Sequence, residues 1–281
     1  MMSPLAELCV PPGVAAPFTG PCRYLISLDF DGTLLCETTR RIEPSFFELM
    51  ARWRPHGVRW GINTGRSLPY LMQDLLPQAP CLPDFICTCE RYVYLADAAG
   101  HLQPDIAHNT ACAAHNATVR ARFAPILQRT MQQLAARHPE WQWEYAADDP
   151  LSIEAVDAAT MDAMAPDMNR LAATDAGVSL QRAGRYLRFA DARYDKGTVL
   201  TRIAALWGVP AARFAILGDG HNDLHAFRAL PQAFCAAPAT AHPEVAAWLR
   251  THGGFVSPTP GVIHALEHWA ASHLHFGDSP Q

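Results

Sequence analysis

The sequence predicts an α/β fold in which a parallel-sheet core is interrupted by an inserted α+β unit, and three observations carry that prediction. Short apolar runs alternate with helix-periodic segments up to Asp105 and again from Lys196 onward. Between these stretches the rhythm changes to helix-strand-strand, repeated twice. Clusters of acidic, hydroxyl and glycine residues fall where the core strands should end, the edge at which open α/β sheets place their ligands.

The first strand is the apolar run Tyr24–Leu28, and Gly32 just beyond it lets the chain leave the sheet. A polar loop, 36–41, leads to an apolar-periodic helix over 44–54. A second strand, 58–62, ends at Asn63-Thr64-Gly65-Arg66-Ser67, where Ser67 can cap the helix opened by Leu68-Pro69. Residues 84–88 form a third strand, and Tyr92–Leu95 pairs with the segment after Ala99-Gly100 as a hairpin. The insert follows, with a long helix over about 111–137, strands at 141–146 and 151–155, a helix over 159–175, and strands at 178–182 and 186–190. The core resumes with a helix from Lys196 to Trp207, a strand at 214–217 and a helix over 222–229. Short strand-helix units then run through Phe234-Cys235 and Phe255-Val256 to a last helix over 260–271.

At 281 residues, nearly half of them apolar, the chain can hold a large core with a smaller companion. A net charge of −5 and a pI near 6.2 leave no electrostatic footprint for nucleic acid. No stretch reaches the roughly 18–20 apolar residues of a membrane span. Residues 1–21, rich in proline and small side chains, lack the features of a signal peptide and read as a flexible leader. Eight scattered cysteines show no zinc spacing and read as free thiols in a reducing cytoplasm, with Cys87 and Cys89 pointing the same way on a strand. His264, His268, His273 and His275 read as a solvated helix face.

Asp29 and Asp31, two apart at the end of the first strand, should start on one face. Two carboxylates held so close are costly unless a cation or a phosphate reaction uses them. Three further clusters share the sheet edge: Thr64-Gly65, Lys196-Gly197 at a helix start, and Gly218-Asp219-Gly220-His221-Asn222-Asp223. Each alone reads equally well as a turn, a cap or surface charge. Together and in this order they read as one site. Lys196 is also the only lysine among 22 lysines and arginines, so the single ammonium of the chain falls at this edge.

The ordered set resembles the haloacid dehalogenase (HAD) superfamily of phosphohydrolases, over about 24–105 and from 191 to the final helix. Between Asp31 and Thr64 there is room for one helix and a strand only, and the large insert after Thr64 resembles the type-two α+β caps of the Cof-like and sucrose-phosphatase-like branch, subfamily IIB. The resemblance implies a Rossmann-like core over 22–105 and 191–281 with a cap over 106–190. It implies a Mg²⁺-dependent phosphatase acting on a small phosphorylated metabolite, such as a sugar phosphate. Asp29 would be the nucleophile and Asp31 the general acid and base; Thr64 would hold the phosphoryl oxygens and Lys196 would balance charge. Gly32, Gly65, Arg66 and Asn222 would line the phosphate. Asp29, the main-chain carbonyl of Asp31, Asp219 and Asp223 would hold the metal.

The alternatives are a phosphotransferase or phosphomutase using the same aspartyl-phosphate, or a non-catalytic regulator on the fold. One departure stands out: many relatives carry Asn-Gly-Ala after the third core strand, where this chain has Cys89-Glu90-Arg91-Tyr92. In the insert, Arg120, Arg122, Arg129, Arg137, Arg170, Arg182, Arg185 and Arg188 read mainly as solvated faces, and Trp141, Trp143 and Tyr145 as packing.

Overall fold

The computed structural model describes residues 20–97, 101–146 and 149–274. Nearly all of the expected leader, the hairpin turn at Ala99-Gly100, Cys9 and His275 lie outside the described residues. The chain divides into two compact units: a smaller one, Ile106–Asp195, and a larger one made of the segments before Ile106 and after Asp195.

The larger unit contains β1 (Tyr24–Leu28), α1 (Pro44–Trp53), β2 (Val58–Asn63), α2 (Leu68–Leu75), β3 (Phe85–Thr88), β4 (Tyr92–Ala96) and β5 (Leu102–Pro104). After the smaller unit come α5 (Lys196–Trp207), β10 (Phe214–Leu217), α6 (Asp223–Ala229), β11 (Phe234–Ala237), α7 (Pro243–Thr251), β12 (Phe255–Val256) and α8 (Ile263–His273). The strands form one sheet in the order β12-β11-β10-β1-β2-β3-β4-β5. It is parallel from β12 to β3 and antiparallel from β3 to β5.

The core strands are mostly apolar because both faces are covered, as parallel sheets require. Their alternation divides the core in two. Ile26, Trp60, Ile62, Ala215 and Leu217 pack with α1, α2 and α8. Leu25, Phe85, Phe214 and Ile216 pack with α5, α6 and α7. On that second face Gly61 pairs with Phe85, whose buried ring lies against the bare backbone of β2.

The smaller unit has α3 (Ile106–Arg137), β6 (Trp143–Ala146), β7 (Asp149–Ala155), α4 (Ala158–Ala172), β8 (Val178–Ala183) and β9 (Tyr186–Asp191). Its sheet, in the order β6-β7-β9-β8, is antiparallel throughout. Val119, Phe123, Leu127, Met131 and Leu134 recur at helical spacing on α3 and meet Met161, Met164 and Met168 of α4 over one face of the sheet. Trp141, Trp143 and Tyr145 pack against this cluster.

Several elements differ from the sequence reading. Helix α3 starts at Ile106 rather than near Ala111, because its first turns (Ala107, His108, Asn109, Thr110) lack an apolar stripe even though Asn109 is buried. Strand β3 stops at Thr88, and Cys89 and Glu90 take positive φ (50° and 63°), so Cys89 does not share a strand face with Cys87. Residues 192–195 pack with the smaller unit: the Tyr194 hydroxyl is 2.8 Å from His115 Nδ1, and Gln181 Nε2 donates to the Tyr194 carbonyl at 2.8 Å. Arg170 and Arg185 are solvated, but Arg188 is 7% exposed and donates to Ser152 Oγ and the Tyr186 hydroxyl. Its position alternates with Leu187 and Phe189, so it lies on the sheet face opposite the helices. No helix among the described residues is long and apolar enough to cross a membrane.

A Cβ at Gly61 would lie 2.3 Å from Phe85 Cδ1. Gly61→Ala should therefore destabilise the larger unit by about 1–3 kcal/mol, the cost of overpacking, read as a lower urea midpoint. Wild-type stability in that variant would mean that the ring can retreat without loss.

Candidate active site

Four chain segments meet at the C-terminal edge of the larger sheet. Strand β1 ends with the Asp29 N–H donating to the Leu217 carbonyl of β10 at 2.8 Å, which brings Asp29 beside the loop that follows β10. In that loop Gly220 N–H donates to Asp223 Oδ2 at 2.9 Å, folding the carboxylate back over Gly218. A Cβ on Gly218 would sit 2.1 Å from Asp223 Cγ, so the position admits only glycine. Gly32 has φ +74° and would place a Cβ 2.5 Å from Asp219 Oδ2. Its missing side chain thus lets the first loop close on Asp219, and Thr33 Oγ1 donates to Asp219 Oδ1 at 2.7 Å. Gly32 thus has a packing role beside Asp219.

Lys196, the first residue of α5, is 1% exposed, and its Nζ donates to Asp29 Oδ1 at 2.7 Å and to Asp223 Oδ1 at 2.6 Å. Asn63 Nδ2, at the end of β2, donates to the Lys196 carbonyl at 2.9 Å and pins the start of the helix. The adjoining turn is fixed through Thr64, whose N–H donates to the Cys87 carbonyl and whose carbonyl accepts from the Glu90 N–H. Thr64 Oγ1 accepts the Arg66 N–H at 3.2 Å. Asn222 Nδ2 donates to Glu90 Oε1 at 2.7 Å, and Glu90 Oε2 is buried with no hydrogen-bond partner. Gly65 faces the same carboxylate: a Cβ there would be 3.2 Å from Glu90 Oε1.

Asp31 stands apart. Strand β1 ends at Leu28, so both acids lie beyond the strand and its alternation does not by itself set which way they point. The Asp31 carboxylate is gripped by Arg66, Nε to Oδ2 at 2.6 Å and Nη2 to Oδ1 at 2.5 Å, with Arg40 Nη1 at 3.3 Å. Arg66 also reaches Asp74 at 2.7 Å and lies over the Phe30 ring. The arginine expected to meet phosphate is therefore spent on two carboxylates.

Carboxylate oxygens of Asp29, Asp219 and Asp223 all lie within 4.8 Å of one another. Burial pushes Asp29 well above its ordinary 3.8, with the Asp223 and Asp219 charges adding to the rise and Lys196 opposing it. Burial and the Asp223 charge lift Asp219 to about 6 against the Thr33 hydrogen bond. Asp223 is raised by burial in the same way. Burial alone would lower Lys196, but Asp223 and Asp29 outweigh it and hold the ammonium above its ordinary 10.5. Three carboxylates against one ammonium leave two negative charges uncompensated, and Glu90 adds another. A hard divalent cation bound by oxygen fits that donor set.

Sequence reasoning missed Thr33 and Glu90. The signal for Glu90 was present, since it is an acid just past the end of a core strand, the criterion that selects Asp29.

A buried sheet flanked by helices on both faces, an inserted antiparallel unit and an acid-lysine edge define a haloacid dehalogenase-type fold. The same fold is found in solved phosphatases of the haloacid dehalogenase superfamily, among them one of subclass IIB. The chain is 27% identical over 249 residues to a phosphoglycolate phosphatase of Natronomonas pharaonis, an alignment covering 86% of this chain and 96% of that protein. The sucrose-phosphatase of Synechocystis sp. PCC6803, solved with sucrose and phosphate, aligns with a TM-score of 0.65 at 18% identity, over 90% of this chain and 98% of its own. A HAD subclass IIB sugar phosphatase aligns with a TM-score of 0.57 at 14% identity, over 88% and 99%. No family model matches the chain.

Lys196 is held above 10.5, so its stabilising contribution is complete below that pH and is lost only as pH rises through the higher folded value. Lys196→Met should cost about 3–5 kcal/mol at pH 7, the penalty for orphaning buried charge. Because Asp29 and Asp223 are raised, they take up protons as pH falls, and the deficit should shrink toward pH 5. A deficit that stays constant from pH 5 to 8 in urea titrations would point to lost packing instead.

Proposed function

We propose that this haloacid dehalogenase-type phosphatase hydrolyses a small phosphomonoester, a sugar phosphate or a phosphorylated acid such as phosphoglycolate, through an aspartyl-phosphate on Asp29. The observation that carries the reading is the buried Lys196 bridging Asp29 and Asp223, with Asp219 alongside. A binding module has no need to bury that much charge.

In the first step Asp29 attacks phosphorus, forming an acyl-phosphate (mixed anhydride) bond as the ester bond from phosphorus to the leaving oxygen breaks. Lys196 holds the Asp29 carboxylate and offsets charge between it and the phosphoryl group. The Thr64 hydroxyl and the backbone N–H groups of its turn receive the phosphoryl oxygens. Asn222, fixed by Glu90, orients the group from the opposite loop. Asp31 protonates the leaving oxygen and then takes a proton from the water that cleaves the aspartyl-phosphate. To do so it must release Arg66, which then becomes available to a negatively charged leaving group. Asp29, Asp219, Asp223 and the Asp31 carbonyl would hold Mg²⁺. When bound, it lowers the repulsion between a dianionic phosphate and these carboxylates. A reducing, cytoplasmic setting suits the seven described cysteines, all free thiols.

The test is release of inorganic phosphate from p-nitrophenyl phosphate, phosphoglycolate and a set of sugar phosphates. Activity should disappear in EDTA and return with Mg²⁺. Asp29→Asn should lose roughly 10³-fold or more while staying folded; hydrolysis at wild-type rates in that variant would sink the mechanism. Glu90→Ala, which frees Asn222, should lower turnover or Mg²⁺ affinity by about 10–100-fold, as loss of an outer-shell partner does. Glu90→Gln should lose far less, and equal losses in both would assign Glu90 its charge, not its hold on Asn222, as the working feature.

A further inference from the structure

His221, in the loop between β10 and α6, meets His242 and Glu244 at the start of α7. One ligand atom from each residue lies within 4.8 Å of the others. His221 Nε2 is 3.1 Å from Glu244 Oε2, and the two imidazole rings are 3.9 Å apart between centroids. The backbone beneath them is tied down: the His242 N–H donates to the Asp219 carbonyl at 2.9 Å, and the Leu224 N–H to the His221 carbonyl at 3.2 Å. None of the three residues belongs to the Asp29, Asp219 and Asp223 group.

Capping and pairing explain part of this arrangement. His242 Nδ1 accepts the Glu244 N–H at 3.3 Å, a long cap bond, and His221 pairs with Glu244. Neither contact calls for two imidazoles and a carboxylate converging on one point. We propose that His221, His242 and Glu244 form a second metal site, selective for a zinc-like transition metal and separate from the aspartate site.

The donor set decides the class of ion. Two nitrogens and one oxygen suit Zn²⁺ and its neighbours, whereas Mg²⁺ prefers oxygen alone. Two histidines and one glutamate with a fourth position open to water is a known zinc arrangement. Zinc bonds of about 2.0–2.1 Å place ligand atoms roughly 3.3–3.5 Å apart, so the group must draw in slightly. Glu244, with a side chain 73% exposed, has the freedom to swing, while His221 is 15% exposed and stays in place. The positive end of α7 opposes a cation there, and the Glu244 carboxylate offsets it. Once bound, the ion would tie the loop carrying Asp219 and Asp223 to α7 through side chains as well as backbone.

Zinc titration of the full chain by calorimetry, with Mg²⁺ in large excess to occupy the aspartate site, tests the proposal. The comparison is with His242→Asn/Glu244→Gln, in which asparagine preserves a capping oxygen. Wild type should bind one more equivalent of Zn²⁺ than the variant, or bind it at least ten-fold more tightly. Equal stoichiometry and affinity would overturn the site, as would loss of all zinc binding from wild type in excess Mg²⁺. Should the double variant fail to fold, Glu244→Gln alone, on an exposed side chain, should weaken zinc binding at least ten-fold; unchanged affinity there would overturn the site equally.

Discussion

The buried contact of one ammonium with two carboxylates sets the terms for the rest of the larger unit. Lys196 reaches Asp29 across 167 residues of sequence and Asp223 across 27. It thereby fastens the end of β1, the start of α5 and the start of α6 to one point. Its chemistry explains why lysine is kept where all other basic residues except histidine are arginine. A guanidinium is a planar fork suited to one carboxylate face at a time, whereas a compact ammonium can sit between two carboxylates from different elements. Asn63 holds the backbone of Lys196, so even the anchor is itself anchored.

Around that contact, close approach does as much as charge. Gly32 and Gly218 are spaces filled by the Asp219 and Asp223 carboxylates. The acids are held by the absence of neighbouring side chains and by the Thr33 hydroxyl and the Gly220 N–H. The outcome is a concentrated negative site on rigid backbone. The looser polar cluster of Arg40, Arg66, Asp31 and Asp74 lies beside it, half open to solvent.

Much of this was legible in the residues. The core strands declare themselves as apolar runs because both faces are buried, and helix starts such as Ser67-Leu68-Pro69 are local signals. Strand ends and helix starts therefore bring Asp29, Thr64, Lys196, Asp219 and Asp223 to one edge on local information alone. What was not legible depends on contacts between distant segments. Asp31 is held by Arg66 and Arg40, which reach it from other parts of the chain. Glu90 enters through a turn of two residues at positive φ, a conformation that a cysteine-glutamate pair does not advertise. Arg188 is buried on a sheet face whose covering no single strand can reveal.

The order of segments along the chain also has a consequence for biosynthesis. Strand β1 lies between β2 and β10, and its β10 partner is synthesised only after the whole smaller unit has emerged. The smaller unit is contiguous, so it can collapse as soon as it leaves the ribosome. Meanwhile β1 waits with one hydrogen-bonding edge open and the Asp29 carboxylate without its counter-ion. A nascent chain stalled in that interval presents an apolar, unpaired strand, the species most exposed to misassociation. Late arrival of Lys196 and β10 makes the last part of translation the step that closes the sheet.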